Sequence, residues 1–308
     1  MTRMVAWTLS GIAALLALAG IGFWIALQVN SVAVLDTVDR VTGGDPGVER
    51  VAHVRLGEAP TQTLSLYRAR QTAEPAPVLL FVHGGSWDWG DPKDYGFVAR
   101  SLAPEGFVVA LAGYRLGEEG RYPAMLEDTA QAIRWLRDNA ARHGGDPERI
   151  YLAGHSAGAY NVVQVALEPR WLAAEGVSTA AIRGVVGMAG PYDFFPFDKD
   201  STRAAFGDAT DPEATQPINH VRPDAPPMLL LTGTEDTTVK PRNTRALAAA
   251  LEQAGVPVET RYYDGLDHSD VLVMLASPWR RKPEVRDDIL RFLARVEQAS
   301  VPVQGETR

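Results

Sequence analysis

Cysteine is absent from the sequence, which has 308 residues. Its absence excludes disulfide bonds, thiolate metal sites, iron–sulfur clusters and a cysteine nucleophile. Long runs of basic residues are absent too, and 30 Lys and Arg against 38 Asp and Glu leave a formal net charge of −8. A chain with this charge lacks the positive surface with which proteins bind phosphate backbones, so we expect no nucleic-acid partner. The 46% of hydrophobic and 22% of charged residues are typical of a globular protein.

Charged residues are also missing from the first part of the chain, residues 4–35. Within it, Val5–Val29 is an almost unbroken apolar run, which as a helix would be ~37 Å long and would cross a bilayer core of ~30 Å. We therefore interpret residues 1–35 as an uncleaved membrane anchor. Two alternatives remain: a signal segment cleaved at Ala17-Leu18-Ala19, which would leave a secreted protein, and a buried core helix.

The charges at the two ends of the apolar run favour one orientation. Arg3 precedes the run, while Asp36 and Asp39 follow it. By the positive-inside rule, the N-terminus then stays in the cytoplasm and the rest of the chain lies on the exported side, periplasmic or extracellular. No candidate site residue precedes Asp36, so we expect a variant that starts near Asp36 to be soluble and active.

Residues 45–298 form one domain in which strands and helices alternate. Most of its strand segments are short continuous apolar runs, as in strands that are covered on both faces of a sheet. Strands that alternate with helices predict an α/β fold with a mostly parallel central sheet and helices on both faces. The predicted strands are Val51–Leu56, Thr63–Tyr67, Val78–Val82, Phe107–Leu111, Ile150–Ala153, Ile182–Met188, Met228–Leu231 and Val258–Tyr263. The predicted helices are Tyr95–Leu102, Ala124–Ala141, Ser156–Leu167, Thr244–Ala254 and Pro283–Val296.

One connection is too long for an ordinary loop. Residues 190–222 are rich in Pro, Asp and aromatic residues. Such a connection is either disordered or a lid-like cover of a binding site, and we favour the second. Because phenylalanines are costly to leave in water, we expect this segment to contribute to a substrate pocket, although packing onto the core is the alternative. The candidate pocket residues are Trp87, Tyr160, Phe194 and Phe195. Residues 299–308 are a C-terminal tail.

A five-residue motif places a serine between a strand and a helix. Gly154-His155-Ser156-Ala157-Gly158 follows the predicted strand Ile150–Ala153 and opens the next helix. In this strand–turn–helix context, Gly-x-Ser-x-Gly presents a nucleophilic serine above the carboxyl end of a sheet. The helix N-terminus stabilises negative charge that develops there. Ser156 is therefore the candidate nucleophile, and a glycine-rich helix start capped by a serine is the alternative.

A pair of glycines follows another central strand, in His83-Gly84-Gly85-Ser86-Trp87. Adjacent glycines let backbone amides point into a site without side chains in the way. Acyl transfer needs such donors where the carbonyl oxygen becomes an oxyanion. An ordinary tight turn is the alternative. We expect the oxyanion hole to be formed by Gly84, Gly85, Ser86 and Ala157.

A serine nucleophile needs a base and an acid. Of the six histidines, His268 follows the last predicted strand, in a loop that can lean over Ser156. The acid must orient the imidazole and stabilise its cation. Glu235 and Asp236 both follow the strand Met228–Leu231 and both can reach that loop. Neighbouring side chains of an extended segment point to opposite sides, so only one of the two faces the imidazole.

Together these motifs resemble the α/β-hydrolase superfamily, specifically its carboxylesterase branch related to hormone-sensitive lipase and to kynurenine formamidase. The resemblance covers residues 50–297 and includes the order Ser, Asp, His along the chain. It implies that Asp236, the Asp of Gly-Thr-x-Asp, is the acid of a catalytic triad with Ser156 and His268. We expect a small-molecule ester or amide as the substrate, and neither a metal nor an organic cofactor.

The sequence departs from the lipase-type pattern in two places. Ser86 stands where lipases have a third glycine, which keeps the amide but moves the chain toward the formamidase pattern. The N-terminal helical cap of lipase-like members is missing, so we expect no long enclosed channel. We therefore predict a serine hydrolase that cleaves esters of short-to-medium acyl chains through an acyl-enzyme intermediate. A formamidase, amidase or small peptidase is the alternative, and a non-catalytic binding module is a third; the oligomeric state stays open.

Overall fold

The computed structural model describes residues 2–43, 47–279 and 284–300. Within these ranges the strands are β1 Val48–Arg55, β2 Thr63–Ala69, β3 Ala76–Val82, β4 Val108–Ala112, β5 Gly145–His155, β6 Ile182–Met188, β7 Met228–Gly233 and β8 Val258–Tyr263. They form one sheet in the order β1-β2-β4-β3-β5-β6-β7-β8. β2 pairs antiparallel with β1 and with β4, and the remaining neighbours are parallel. The predicted α/β fold with a mostly parallel sheet is confirmed.

Helices cover both faces of this sheet. In the described ranges they are α1 Thr2–Thr42, α2 Gly96–Leu102, α3 Ala124–Asn139, α4 Ala157–Leu167, α5 Arg170–Ala174, α6 Asp200–Phe206, α7 Arg242–Gln253, α8 Asp270–Val273 and α9 Glu284–Ser300. The apolar sides of α3, α4 and α7 are buried on one face, and those of α2, α8 and α9 on the other. Burial from both faces explains why β4 and β7 are continuous apolar runs. Two predicted segments fall partly outside the described residues, at Pro283 and in the tail after residue 300.

The N-terminal helix α1 has a break at Asn30, where the backbone takes φ −156° and ψ 86°. The Asn30 side chain accepts a hydrogen bond from the Ala33 amide at 2.9 Å. Asn is among the most favourable N-cap residues, so Asn30 starts a second helical segment, residues 31–42. Asn30 also donates to Asp94 at 2.7 Å, which ties the break to the rest of the domain.

The second segment of α1 packs against α2. Arg100 lies between Asp36 and Asp39, and its nitrogens are 2.6 Å from an oxygen of each carboxylate. Both carboxylates are buried, and Asp39 also accepts a hydrogen bond from the Ser277 amide at 2.6 Å. Leu35 joins the apolar core of this face. A chain that starts near Asp36 would lack the first residues of this docked segment, and its expected solubility and activity stay predictions.

Residues 17–25 of α1 are exposed. The stretch Ala17–Thr42 has the length and apolar composition needed to cross a membrane, with a mean hydropathy of 1.8 and 0% of its most apolar window buried. Leu18, Ile21 and Trp24 expose most of their side chains. This exposure contradicts the alternative of a buried core helix. A membrane anchor and a signal sequence share these properties.

The long connection between β6 and β7 is ordered. It contains α6 and is held by two side chains of the domain. The Asn243 carbonyl accepts a hydrogen bond from the Tyr192 amide at 2.9 Å, and the Gln216 carbonyl accepts one from the Phe194 amide at 2.7 Å. These bonds contradict the disordered alternative for residues 190–222.

Candidate active site

Ser156 lies in the sharp turn between β5 and α4, with φ 53° and ψ −120°. A residue with a side chain rarely adopts a positive φ, so the surrounding chain must impose this conformation. The glycines of the motif allow it. A Cβ at Gly154 would lie 2.3 Å from the Gly158 carbonyl oxygen, and a Cβ at Gly158 would lie 2.1 Å from the carbonyl oxygen of Val82 in β3. Both positions therefore require glycine.

The Ser156 hydroxyl belongs to a chain of three side chains. His268 Nε2 lies 2.9 Å from Ser156 Oγ, and His268 Nδ1 lies 2.8 Å from Asp236 Oδ2. The Asp236 carboxylate is buried. Its Oδ1 accepts hydrogen bonds from the amides of Thr238 and Val239 at 2.9 and 2.8 Å, which fix its orientation. The structure thus brings together the three residues of the predicted triad.

The turn after β3 lies against the serine. Gly85 has φ 116°, and a Cβ there would lie 1.9 Å from the Trp89 carbonyl oxygen, so only glycine fits. A Cβ at Gly84 would lie 3.1 Å from the serine Cβ, which shows how closely the two turns approach. In the described part of the chain, the amides of Gly85 and Ser86 donate to no backbone acceptor. The two turns bring the predicted oxyanion-hole residues to the cavities at the serine: Gly84, Gly85, Ser86 and Ala157.

His83 supports this turn. Its ring lies between Tyr95 and Tyr114, at centroid distances of 5.5 and 4.8 Å. Its Nδ1 lies 2.7 Å from the Gly84 carbonyl oxygen, and because that oxygen only accepts, Nδ1 carries the proton. Burial lowers the pKa of His83 to about 4, so the ring is neutral near pH 7. The neutral ring holds the glycine turn in place.

His155 supports the loop that carries His268. Its Nε2 lies 2.9 Å from the His268 carbonyl oxygen, and the two ring centroids are 4.9 Å apart. Burial, with a smaller contribution from the charge of a protonated His268, lowers the pKa of His155 to about 3. His155 is therefore a neutral donor. The sequence does not predict this contact, because the second position of Gly-x-Ser-x-Gly carries no signal for a partner in a distant loop.

A small cavity opens on one side of Ser156. Its volume is about 110 Å³, and its walls come from the β6–β7 connection and from the turns after β3 and β7. Trp87 and Phe194 line it, as expected of pocket residues. Tyr160 does not, because it is buried and packs edge-on against Trp87 at a centroid distance of 5.4 Å. Phe195 is 40% exposed and also lies outside the lining.

A larger cavity of about 620 Å³ opens on the other side of Ser156. It lies between α1, the turn after β3 and the loop that carries His268. The N-terminal helix α1 therefore borders the site, which the sequence does not predict. Among residues 2–43, 47–279 and 284–300, no cluster of three or more His, Asp or Glu is arranged to hold a metal ion.

Known proteins are similar to this chain in sequence and in fold. A family model described as BD-FAE matches residues 64–251. A probable isoprenylcysteine alpha-carbonyl methylesterase, ICME of Oryza sativa, is 28% identical over 282 residues, which cover 82% of this chain and 67% of the relative. Esterase LipC of Mycobacterium tuberculosis is 33% identical over 221 residues, which cover 64% of this chain and 54% of the relative. The solved structure of an inhibited esterase B from Lactobacillus rhamnosis has a TM-score of 0.74 at 23% identity and covers 90% of this chain and 97% of that chain.

The fold, the turn at Ser156 and these likenesses define an α/β-hydrolase of the carboxylesterase-like type, as the motifs predict. Within that class the chain belongs to the BD-FAE family, whose model matches more than half of it. The curated relatives are longer proteins, since the alignments span 67% of ICME and 54% of LipC.

Proposed function

We propose that this protein is a serine hydrolase that cleaves carboxylic esters through an acyl-enzyme intermediate. His268 Nε2 takes the proton of Ser156 as Oγ attacks the acyl carbon. The amides of Gly85, Ser86 and Ala157 stabilise the resulting oxyanion. The tetrahedral intermediate then collapses, and the alcohol leaves with the proton from His268. Water repeats these steps on the acyl-enzyme and releases the acid.

One observation carries this proposal. Ser156 Oγ, the His268 ring and the Asp236 carboxylate are joined by contacts of 2.9 and 2.8 Å. In this arrangement Asp236 keeps the Nδ1 proton in place and stabilises the imidazolium that forms during attack. The fold alone supports no particular reaction, but the esterase names of the relatives and neighbours support ester hydrolysis.

The proposed substrates have short-to-medium acyl chains. Trp87 and Phe194 are among the residues that line the small cavity of about 110 Å³, and we assign this cavity to the acyl group. An acyl chain that outgrows this cavity loses contact with its walls or strains the site. We therefore expect a butanoate ester to be cleaved faster than a hexadecanoate ester under conditions in which both are soluble.

A panel of p-nitrophenyl esters of rising acyl length, beside N-formyl amides, tests the proposal. The esters should be cleaved faster than the amides, and Ser156→Ala should abolish turnover. Ser178→Ala is a matched control, because Ser178 is exposed and lies outside the lining of both cavities. Faster cleavage of the amides would assign the protein to the formamidase or amidase alternative. A wild-type protein that cleaves neither class would be a binding module.

We also propose that the first segment of α1 anchors the protein in a membrane, with the hydrolase domain on the exported side. The exposed apolar side chains of this segment and the charges at its ends support this topology. The intact protein should then resist carbonate extraction from membranes. N-terminal sequencing that begins at Gly20 or later would show a cleaved signal and a secreted protein instead.

A further inference from the structure

The larger cavity has a wall made by α1 on both sides of its break at Asn30. The residues of α1 that line it are Phe23, Leu27, Ser31, Val32, Val34, Leu35 and Val38. Across the cavity lie Leu272, Val273 and Trp279. All of these except Ser31 are apolar, so the cavity is suited to a hydrocarbon chain.

The position of His268 decides which part of an ester lies in which cavity. In the proposed reaction, His268 Nε2 gives its proton to the leaving oxygen, so the alcohol must lie beside the imidazole. His268 lines the larger cavity, whereas the described lining of the smaller one does not include it. The acyl group therefore occupies the smaller cavity and the alcohol the larger one.

The α1 wall is a built part of the site. The buried pairing of Arg100 with Asp36 and Asp39 holds the second segment of α1 on α2. A Cβ at Gly96 would lie 2.8 Å from Asp36 Oδ1, so the two helices approach closely at this glycine. Removing one partner of a buried ion pair is strongly destabilising, so the docking of α1 on α2 depends on this pairing.

The wall also continues into the exposed apolar segment. Phe23 lines the cavity, and the nearby side chains of Leu18, Ile21 and Trp24 are 64%, 55% and 61% exposed. An apolar surface therefore leads from the cavity beside Ser156 to the segment that we propose to lie in the membrane. A substrate with a long apolar alcohol can remain in contact with this surface along its length.

We propose that α1 forms the binding site for the leaving group, and that the substrate is an ester of a short acid and a long, unbranched apolar alcohol. This inference rests on the proposed ester hydrolysis and adds the side of the ester on which a long chain is favoured. Each methylene that is buried against α1 stabilises the bound ester. When the same contacts hold in the transition state, they raise kcat/KM.

Two matched ester series test the inference on the full-length protein in lipid nanodiscs. One series has acetates of alcohols from ethanol to octanol, and the other has ethyl esters of acids from acetic to octanoic. We expect kcat/KM for octyl acetate to exceed that for ethyl acetate by about tenfold or more, and ethyl octanoate to be cleaved no faster than ethyl acetate. An equal gain in both series, or a gain in the acid series alone, overturns the inference. Failure to cleave any ester overturns the proposed function itself.

A pair of tryptophan variants tests the role of α1. Ser31→Trp introduces an indole at an exposed position in the cavity wall. It should lower kcat/KM for octyl acetate about tenfold more than for ethyl acetate. Val41→Trp is the matched control, because Val41 belongs to the same helical segment and is 80% exposed outside the cavity lining. It should leave the ratio of the two substrates unchanged. If Ser31→Trp keeps the wild-type ratio, α1 does not contact the alcohol and the inference is wrong.

Discussion

Two buried histidines hold the chain around the reacting groups without adding charge. His83 donates to the Gly84 carbonyl and His155 to the His268 carbonyl. A buried charge without a counter-ion is unfavourable, which is why burial lowers the pKa of both rings. In the proposed reaction, the ring that gains a proton is His268, because its Nε2 lies 2.9 Å from Ser156 Oγ.

Two adjacent acids, Glu235 and Asp236, are candidates for the acid of the triad, and their variants should differ. Asp236 contacts the imidazole, while Glu235 is exposed. Asp236→Asn should leave the fold intact and lower kcat by several orders of magnitude; the same change in a serine protease costs ~10⁴. Glu235→Gln should change kcat by less than about tenfold. Steady-state kinetics with a thermal melt of each variant provide the measurement, and the reverse pattern would assign the acid to Glu235.

His155 is a positioning residue in this account. His155→Phe keeps an aromatic ring but removes the donor to the His268 carbonyl, so we expect kcat to fall about tenfold and the pH profile of kcat to shift. His155→Gln retains an amide donor and should restore part of the activity. If kcat falls equally in His155→Phe and His155→Gln and its pH profile is unchanged, the His155 ring only fills space.

The site residues that the sequence predicts are those in local motifs. Gly154, Ser156 and Gly158 are recognisable because one turn fixes their spacing. Contacts between distant segments are not recognisable in this way. His155 meets the His268 carbonyl across a separation of 113 residues. The sequence also does not determine which way the side chains of an irregular segment point. Phe194 lines the cavity, whereas its neighbour Phe195 does not.

At the scale of elements, α1 combines two roles in one helix with a break. Residues 17–25 expose apolar side chains and residues 31–42 pack on the domain, while residues on both sides of Asn30 line the larger cavity. The buried pairing with Arg100 makes the second role possible, because it supplies the partner that Asp36 and Asp39 need in a buried position.

Removing the Arg100 side chain should detach the second segment of α1 from α2. Arg100→Ala removes the cation that pairs with buried Asp39 and leaves Asp36 only its pair with the exposed Arg40. Breaking a buried ion pair in this way destabilises folded structure by ~3–5 kcal/mol. Trypsin should then cleave after Arg40 at least about tenfold faster than in the wild type, as followed by mass spectrometry of the fragments. Arg134→Ala is the control, because it removes an exposed ion pair with Asp138 elsewhere on the domain. Equal cleavage rates in the two variants would mean that the Arg100 pairing does not hold α1.

The strands could be predicted because each central one is a continuous apolar run between turn residues. The short helices α5 and α8 could not, because a helix of four or five residues has too few turns for a periodic pattern. The break in α1 at Asn30 could not be predicted, because the residues before it form an almost unbroken apolar run. It depends on the bond between Asn30 and Asp94, which are 64 residues apart.

At the scale of the whole molecule, stability should fall below neutral pH. The pKa values of His83 and His155 are about 4 and about 3 in the folded state and return to the ordinary 6.5 on unfolding. At pH values between the folded-state and unfolded-state pKa, the unfolded chain binds more protons than the folded protein. The free energy of unfolding therefore decreases as the pH falls through this range. The two rings account for up to about 4 kcal/mol between pH 7 and pH 5.

Urea unfolding at pH 7 and pH 5 measures this difference. His155→Gln, which does not titrate, should lose about half as much stability as the wild type over the same interval. An equal loss in both proteins would mean that His155 is not held neutral by burial.

In the proposed reaction, Ser156 is the nucleophile that forms the covalent intermediate. Treatment with a fluorophosphonate, followed by intact mass spectrometry and peptide mapping, tests it most directly. We predict one adduct per chain, located on the peptide that contains Ser156, no adduct in Ser156→Ala, and a much slower reaction in His268→Ala. An adduct on another serine, or a protein that cleaves esters at the wild-type rate after Ser156→Ala, would contradict the account.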